Sequence, residues 1–378
     1  MLVVVTNIPT PYRTSFFNVL EEELVQFDES LHVIYCAKTE PGRFWKFNAE
    51  QNKYSYTFLK GFHPEFKGFY PHINFGLISC LKKLKPDSIL LAGSWNAPAT
   101  INVLLNRHNF SCPILFWSEG HIDAQISSNR YVDLFRRKTL NNIKYFVVPN
   151  LKSKEYIHHY NNDAIIGFLP NTVDEEFFSL SSNDSKINSR NKKNLPLDKT
   201  IIVLVSSLDR RKGVLEFYNA FKKSNFKNLY TVQIGSGEFF DILKEKITAD
   251  NFSDSYTLTG QLEAQEVKEY LIAADVFALP TKSDPNPLSA IEAAFLKKSL
   301  LISSKAGNAK DLILESENGW IINEIVEDDL IANINKIAMT ETSKLEEMGK
   351  KSFEIVSASF TRKKAAQNLI TFIKSLKK

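Results

Sequence analysis

Asp284 and Glu292 stand eight residues apart in Asp284-Pro285-Asn286-Pro287-Leu288-Ser289-Ala290-Ile291-Glu292. Between them the residue types predict a helix start, with Asn286 as a favoured N-cap and Pro287 as a favoured first helical residue. The amides of Leu288, Ser289 and Ala290 then lack intrahelical partners, and an anion can take them. Asp284 precedes that anion site, and Glu292 follows about one and a half turns into the helix. A carboxylate that accepts from hydroxyls, a helix start that holds phosphate and a second carboxylate together suit a nucleotide sugar. Ile291, Ala293, Ala294 and Phe295 flank Glu292, so its carboxyl is expected to be at least partly buried.

Two further groups carry candidate chemistry. Arg210-Arg211-Lys212 lies between the apolar run Ile201–Val205 and Gly213. Charge builds on a departing diphosphate, and fixed cations stabilise it best in a site already built around it. Lys212 and Arg211 are the cationic candidates; the competing reading is a solvated basic turn. In the first half, Trp117-Ser118-Glu119-Gly120-His121-Ile122-Asp123 follows a strand-like run, where ligands of open α/β sheets bind. His121 and, more weakly, Glu119 are candidates there. Arg13, in the loop Ile8-Pro9-Thr10-Pro11-Tyr12-Arg13, can approach an anion or pair with a surface carboxylate, and the sequence leaves both open.

The elements that must position these residues alternate between strand and helix. Apolar runs at Leu2–Val5, His32–Tyr35, Ser88–Ala92, Pro113–Trp117 and Tyr145–Val148 predict the strands of one sheet. Runs at Ile201–Val205, Tyr230–Ile234, Ser255–Leu258, Val276–Leu279 and Leu300–Ser303 predict those of a second. Such alternation means parallel sheets covered on both faces, and 378 residues are too many for one ordinary core. The polar stretch Ser181–Lys199 predicts an exposed loop close to a domain boundary. Arg362–Lys378 predicts an amphipathic helix with Ala365, Leu369, Phe372, Ile373 and Leu376 on its apolar face, favoured as a packing helix over a lipid-binding one.

Composition excludes several classes. A formal net charge of +4 is too mild for a nucleic-acid binder, though it suits anionic substrates or a loose membrane-surface contact. Three scattered cysteines give neither a disulfide framework nor zinc spacing, so a reducing compartment is expected. Met1–Asn7 reads as a buried strand rather than a signal peptide, and no run reaches the ~18 apolar residues of a membrane span. Among the seven histidines no metal spacing occurs. The aromatic run Tyr54, Tyr56, Phe58, Phe62, Phe66, Phe69, Tyr70 and Phe75 is expected to be mostly core. Its minority reading is a sugar- or lipid-facing surface. Arg130, Arg136, Arg137 and Lys138 predict a solvated basic helix face, with membrane docking as the alternative.

The second half resembles the retaining GT-B glycosyltransferases of family 4. Leu169-Pro170-Asn171-Thr172-Val173-Asp174 is similar to that family's interdomain segment, and Val205–Val214 to its first phosphate-binding loop. Ile234-Gly235-Ser236-Gly237, Tyr256–Gln261, Ala273-Ala274-Asp275-Val276, the two carboxylates Asp284 and Glu292, Ala306–Asp311 and Asn318-Gly319-Trp320 follow in the family's order. The first half resembles the family more faintly, through Ile8–Arg13 and the sheet pattern.

The resemblance implies two Rossmann-like domains facing a cleft. The N-terminal one, residues 1–168 with the helix 361–378 packed back on it, would bind the acceptor. The C-terminal one, residues 169–360, would bind the nucleotide sugar. It implies donor binding by Arg211, Lys212, Gly235, Gly237, Gln261, Asp284, Leu288, Ser289 and Glu292, with Asp284 on sugar hydroxyls and Glu292 on the ribose. His121, Asp284 and Lys212 would carry catalysis, and Arg13 and Glu119 would lie on the acceptor or phosphate side. The expected reaction is retaining transfer from an NDP-sugar, UDP being the first choice, to a hydroxyl of a glycan or lipid-linked glycan in cell-surface polysaccharide or glycolipid assembly. No cofactor or metal is expected, and the expected location is cytoplasmic or peripheral on the inner membrane face. Three residues depart from the family pattern: Ser207 where Arg is frequent, Asp284 where Glu is usual, and Pro285 where Gly is usual. They keep two alternatives open, a GT-B nucleotide-sugar epimerase and an inactive nucleotide-sugar-binding scaffold.

Overall fold

The structure, a computed structural model, describes residues 1–41, 47–65, 70–121, 129–181 and 184–377. The chain forms two compact units, one of Met1–Asn171 with Arg362–Lys378 and one of Thr172–Thr361. The division falls after Asn171 rather than after Phe168. Leu169 belongs to the first core, its amide donating to Val148 O at 2.8 Å.

Among the described residues the first unit has nine strands: β1 (Leu2–Thr6), β2 (Leu31–Tyr35), β3 (Ser55–Phe58), β4 (Gly61–Phe62), β5 (Ile73–Asn74), β6 (Ser88–Ala92), β7 (Ile114–Trp117), β8 (Tyr145–Val148) and β9 (Ile165–Phe168). Seven of them form one parallel sheet in the order β3-β2-β1-β6-β7-β8-β9, and β4 and β5 pair antiparallel beside it. Central strands such as β1 are apolar at nearly every position because helices cover both faces. The helix Pro11–Val25 starts with Pro at its first turn and the Thr10 hydroxyl as cap. It buries Phe16, Phe17, Leu20 and Leu24 in the same cluster as Ala365, Leu369, Ile370 and Ile373 of the C-terminal helix Arg362–Leu376. That helix is therefore a packing element of the first unit.

The second unit contributes β10 (Thr200–Val205), β11 (Leu229–Ile234), β12 (Tyr256–Gly260), β13 (Val276–Leu279), β14 (Ser299–Ser303) and β15 (Gly319–Ile322). All pair in parallel, in the order β12-β11-β10-β13-β14-β15. This is the doubly wound order, and its direction reverses between β10 and β13. In the first unit the reversal lies between β1 and β6.

Three expectations are corrected. The polar stretch Ser181–Lys199 is not simply a loop: it carries a helix, Lys186–Lys192, capped by the Ser185 hydroxyl. Arg190 of that helix is buried against Asp275, its Nη2 2.5 Å from Oδ2, so a distant carboxylate accommodates the charge that made the segment look solvated. Arg136 is not part of a basic surface patch. It is buried with its guanidinium 5.2 Å from the centre of the Trp95 ring, and it donates to the Tyr160 hydroxyl at 3.1 Å. The aromatic run divides: Tyr54 is buried and Tyr56 and Phe58 pack around Phe47, whereas Phe62 and Phe75 are 62% and 69% exposed. Phe66 and Phe69 lie outside the described residues.

Candidate active site

The candidate residues of the second unit gather at the carboxyl ends of β10 and β13, the switch point of its sheet. After β10 the chain runs through Ser206–Asp209 into a short 3-10 turn, Arg210–Lys212. Asp209 fixes that turn, its Oδ1 accepting from the Arg211 amide at 2.9 Å and its Oδ2 from the Ser207 hydroxyl at 2.8 Å. Gly213 closes the turn at φ 62°, and a Cβ there would meet Pro280 O at 2.0 Å, so no side chain fits. The Thr281 hydroxyl and the Lys282 amide both donate to Arg211 O, at 2.9 and 2.6 Å. These bonds tie the loop after β10 to the loop after β13.

Of the three consecutive cations, Lys212 alone turns inward. Its side chain is 12% exposed, whereas those of Arg210 and Arg211 are 83% and 60% exposed. Arg210 lies 3.8 Å from Glu238 and Arg211 pairs with Asp209 at 2.9 Å. Neither takes the inward place that an arginine at Ser207 would be expected to fill. Lys212 Nζ reaches Asp284 Oδ2 at 2.5 Å. The sequence offered these two as a phosphate cation and a sugar-binding carboxylate; the fold makes them a contact pair across the switch point.

The helix start departs from the expected cap. The helix is Leu288–Phe295 and Pro287, with ψ 117°, occupies the cap position, while the Asn286 side chain makes no capping bond. Asn308 Nδ2 donates to Pro287 O at 3.0 Å and the Asn286 amide donates to Asp284 Oδ1 at 3.3 Å. These two bonds and the ring constraints of Pro285 and Pro287 hold the segment non-helical as far as Pro287. Among the described residues no backbone hydrogen bond is made by the amides of Leu288, Ser289 and Ala290, the first three of the helix. Both carboxamide atoms of Asn286 are shut off from solvent and have no hydrogen-bond partner among the described residues. Glu292 is half-buried, and burial raises its carboxyl from the ordinary 4.5 to about 7.

The glycine turn completes this edge. Gly235 adopts φ 135°, and a Cβ would meet Ser206 O at 1.9 Å. The turn with Gly237 thus packs directly on the backbone of the loop after β10. Gln261 is exposed beyond β12 and accepts from the Ser236 hydroxyl at 3.3 Å.

In the first unit, Arg13 occupies the corresponding switch point. Its Nη1 donates to Thr6 Oγ1 and to Ala92 O, each at 2.7 Å, at the last residues of β1 and β6. The guanidinium lies 4.9 Å from the Trp117 ring centre, and Nη2 is 3.8 Å from Glu119 Oε1. Arg13 and Glu119 are thus brought together, with Nη1 already engaged by the two strand ends. His121 is buried at 1% exposure, and the residues that follow it, 122–128, lie outside the described residues. Among the described residues no group of three or more His, Cys, Asp or Glu could hold a metal ion. No described helix is long and apolar enough to cross a membrane.

Sequence reasoning assigned Asn286 to capping and missed its unpaired carboxamide.

Residues 185–355 match the family model described as Glycosyl transferases group 1. Over 149 residues the chain is 28% identical to a putative teichuronic acid biosynthesis glycosyltransferase of Bacillus subtilis (strain 168). That alignment spans 38% of this chain and 36% of the relative. Among solved structures, an Anabaena protein, Alr3699/HepE, in complex with UDP is similar at TM-score 0.76 and 14% identity, with 99% of each chain covered. Sucrose-phosphate synthase from Thermosynechococcus elongatus is similar at TM-score 0.74 and 16% identity, covering 99% of this chain and 98% of that one. The fold is therefore GT-B, and the second unit carries a group 1 glycosyl transferase domain, a transferase domain.

Proposed function

We propose that this chain is a glycosyltransferase that moves a sugar from a nucleoside-diphosphate sugar to a hydroxyl of a glycan or lipid-linked glycan, in polysaccharide or glycolipid biosynthesis. The observation that carries the reading is the cluster at the β10/β13 switch point. An inward-turned Lys212, a carboxylate at Asp284, a helix start with unpaired amides and a half-buried Glu292 lie on two stitched loops of one unit. In this reading Lys212 and the amides of Leu288 and Ser289 take the diphosphate, and they stabilise the charge that grows on it as the glycosidic bond breaks. Asp284 accepts from sugar hydroxyls once the donor draws Lys212 onto the phosphates, and Glu292 accepts from the ribose. Gly235, Gly237 and Gln261 border the nucleotide. Arg211, held on Asp209, adds long-range positive charge rather than a direct contact.

The UDP complex of the Anabaena protein favours a UDP-sugar as first choice of donor. Retention at the anomeric carbon and membership of family 4 rest on the resemblance of the motif series. The first unit is the acceptor side in this proposal: His121 positions the acceptor, and Arg13 with Glu119 forms a polar floor at its switch point. No cofactor or metal enters, and the place of action is the cytoplasm or the inner face of its membrane.

A nucleotide-release assay over UDP-, GDP- and ADP-sugars tests the proposal, with wild type, Lys212→Ala and Glu292→Ala side by side. Slow donor-specific release that Lys212→Ala lowers about 10²- to 10³-fold is the expected outcome. An unaltered release rate in both variants, or no binding of any nucleotide in the panel by calorimetry, would overturn the donor site. Release of an altered free sugar without an acceptor would move the assignment to an epimerase.

A further inference from the structure

The helix Arg130–Asn141 of the first unit runs against the usual pattern of a surface helix. Arg136 is buried on it, together with Thr139 and Leu140. Its guanidinium lies against the Trp95 ring and donates to the Tyr160 hydroxyl. Tyr131, Leu134 and Phe135, by contrast, are 81%, 53% and 47% exposed. Surface helices bury an apolar stripe and expose their charges. Here the fold takes a cation inside and leaves three large apolar side chains outside. They are neighbours at i, i+3 and i+4, so they form one patch. An apolar patch rimmed by polar residues marks an interaction site.

The order of residues around the helix says what kind of partner fits. At about 100° per residue, Arg137, Arg130, Leu134, Lys138, Tyr131 and Phe135 follow one another across an arc of about 160°. All six are exposed. Cations hold one edge of the arc and aromatic rings the other, with Leu134 and Lys138 between. The one acidic residue of the helix, Asp133, lies outside the arc. It accepts from the Tyr160 hydroxyl at 2.7 Å and stands 3.7 Å from Arg136. The outward face thus carries three cations and no anion. At the aromatic edge the Phe135 ring lies 5.6 Å from that of the half-buried Trp95, which carries the apolar surface beyond the helix. A bilayer with anionic headgroups meets both edges. Its phosphates take the Arg and Lys side chains, while Tyr, Phe, Trp and Leu settle at the boundary of headgroups and acyl chains.

We infer that the outward face of the helix Arg130–Asn141, with Trp95 at its edge, docks this chain on an anionic membrane surface. The docking stands apart from the donor-site reading, because the helix belongs to the other unit and shares no residue with that site. Of the two places of action proposed above it selects the membrane face. Trp95 follows Ala92, the last residue of β6, by three positions. The Ala92 carbonyl holds Arg13, so the docked surface adjoins the switch point of the first unit. A lipid-linked glycan presents its hydroxyls at such a surface. That last match rests on the acceptor-side reading above; the docking itself does not.

The test sediments the full chain with phosphatidylcholine vesicles, with and without about 30% phosphatidylglycerol. One variant joins Tyr131→Ser to Leu134→Ser; the other joins Arg130→Gln to Lys138→Gln. Wild type is expected to bind the anionic vesicles about tenfold or more tightly than the neutral ones, and less as salt rises. The first variant should lower binding to anionic vesicles about tenfold or more. The second should lower it about tenfold on anionic vesicles alone. Both should melt within about 2 °C of wild type, since the substituted side chains are exposed. Sugar-nucleotide affinity measured without vesicles should not change. No vesicle binding by wild type, equal binding to both compositions, or variants that bind as wild type does would overturn the inference and leave the donor site standing. A dimer in ultracentrifugation that Tyr131→Ser with Leu134→Ser dissociates would give the face to a second copy of the chain and overturn it as well. If both variants melt lower and lose binding in parallel, the face is structural and the inference fails. Vesicle binding by a wild type that binds no nucleotide would overturn the donor-site reading alone.

Discussion

The two ends of β13 carry similar charges and treat them in opposite ways. At its amino end Asp275 is 2% exposed and fully engaged. It accepts from Arg190 Nη2 at 2.5 Å, Lys186 Nζ at 2.9 Å and the Ile201 amide at 2.8 Å. Close by, the Lys298 ammonium donates to Ile272 O and Ala274 O at 3.0 and 2.9 Å, and burial pushes it down to about 7. At its carboxyl end Asp284 pairs with Lys212, and beside it stand Asn286, whose carboxamide has no partner among the described residues, and the half-buried Glu292. At one end the named charges all find partners inside the protein; at the other, among the described residues, the Asn286 carboxamide does not. A fold satisfies its structural charges, and local inconsistency concentrates where a ligand is meant to complete the site.

The largest effect expected from breaking this contrast is at the amino end. Asp275→Ala leaves the buried Arg190 guanidinium without its carboxylate, while Lys186 keeps Glu346 at 2.8 Å. Loss of one partner from a buried ion network costs about 3 to 5 kcal/mol. Urea titration should show a midpoint far below that of wild type, with the helix Lys186–Lys192 losing protection from hydrogen exchange first. A midpoint shift under about 1 kcal/mol would mean that the two ends do not differ in kind.

A smaller cost is expected at the carboxyl end. Asp284→Ala removes the carboxylate that pairs with Lys212, yet the freed ammonium lies at the open end of the sheet and can be rehydrated. About 1 to 2 kcal/mol is expected in the same titration. The sugar-nucleotide affinity should suffer more than the fold does. Equal costs at Asp275 and Asp284 would erase the distinction between a structural and a functional carboxylate.

How much of this was legible in the sequence follows the same physics. The interior strands were readable because parallel strands buried on both faces are continuous apolar runs, as in Ile201–Val205. The strands that escaped are β3, β9 and β15, at the edges of the two large sheets, and the two-residue strands β4 and β5; β3, Ser-Tyr-Thr-Phe, lacks such a run. The helix Lys186–Lys192 was hidden because the partner that buries Arg190 lies 85 residues away. In the site, Lys212, Asp284 and Glu292 were readable from residue type and order. That Lys212 touches Asp284 was not, since it depends on β10 pairing with β13. Asn286 was misassigned by a single position: Asn308 fixes the carbonyl of Pro287 from another loop, and the helix begins one residue later.

The finest test of the open end is its pH dependence. Burial holds the Glu292 carboxyl at about 7, above its ordinary 4.5. Protonation therefore favours the fold: the stabilising contribution is fully present below about 4.5 and is lost as pH rises through about 7. Donor binding should run the other way, because accepting two ribose hydroxyls needs the carboxylate. As pH falls from 8 to 6 the ionised fraction of a group titrating at 7 drops about tenfold, and the sugar nucleotide should weaken by up to that factor. A nucleotide sugar is the right probe, since its diphosphate has no free terminal group to titrate in this range. Glu292→Gln should remove the inflection in affinity and also flatten the stability profile between pH 5 and 8. Affinity that strengthens on acidification in wild type would mean that Glu292 binds as the neutral acid, donating rather than accepting. Two opposed pH slopes from one side chain, one in stability and one in affinity, are what a buried carboxyl that a ligand must ionise produces.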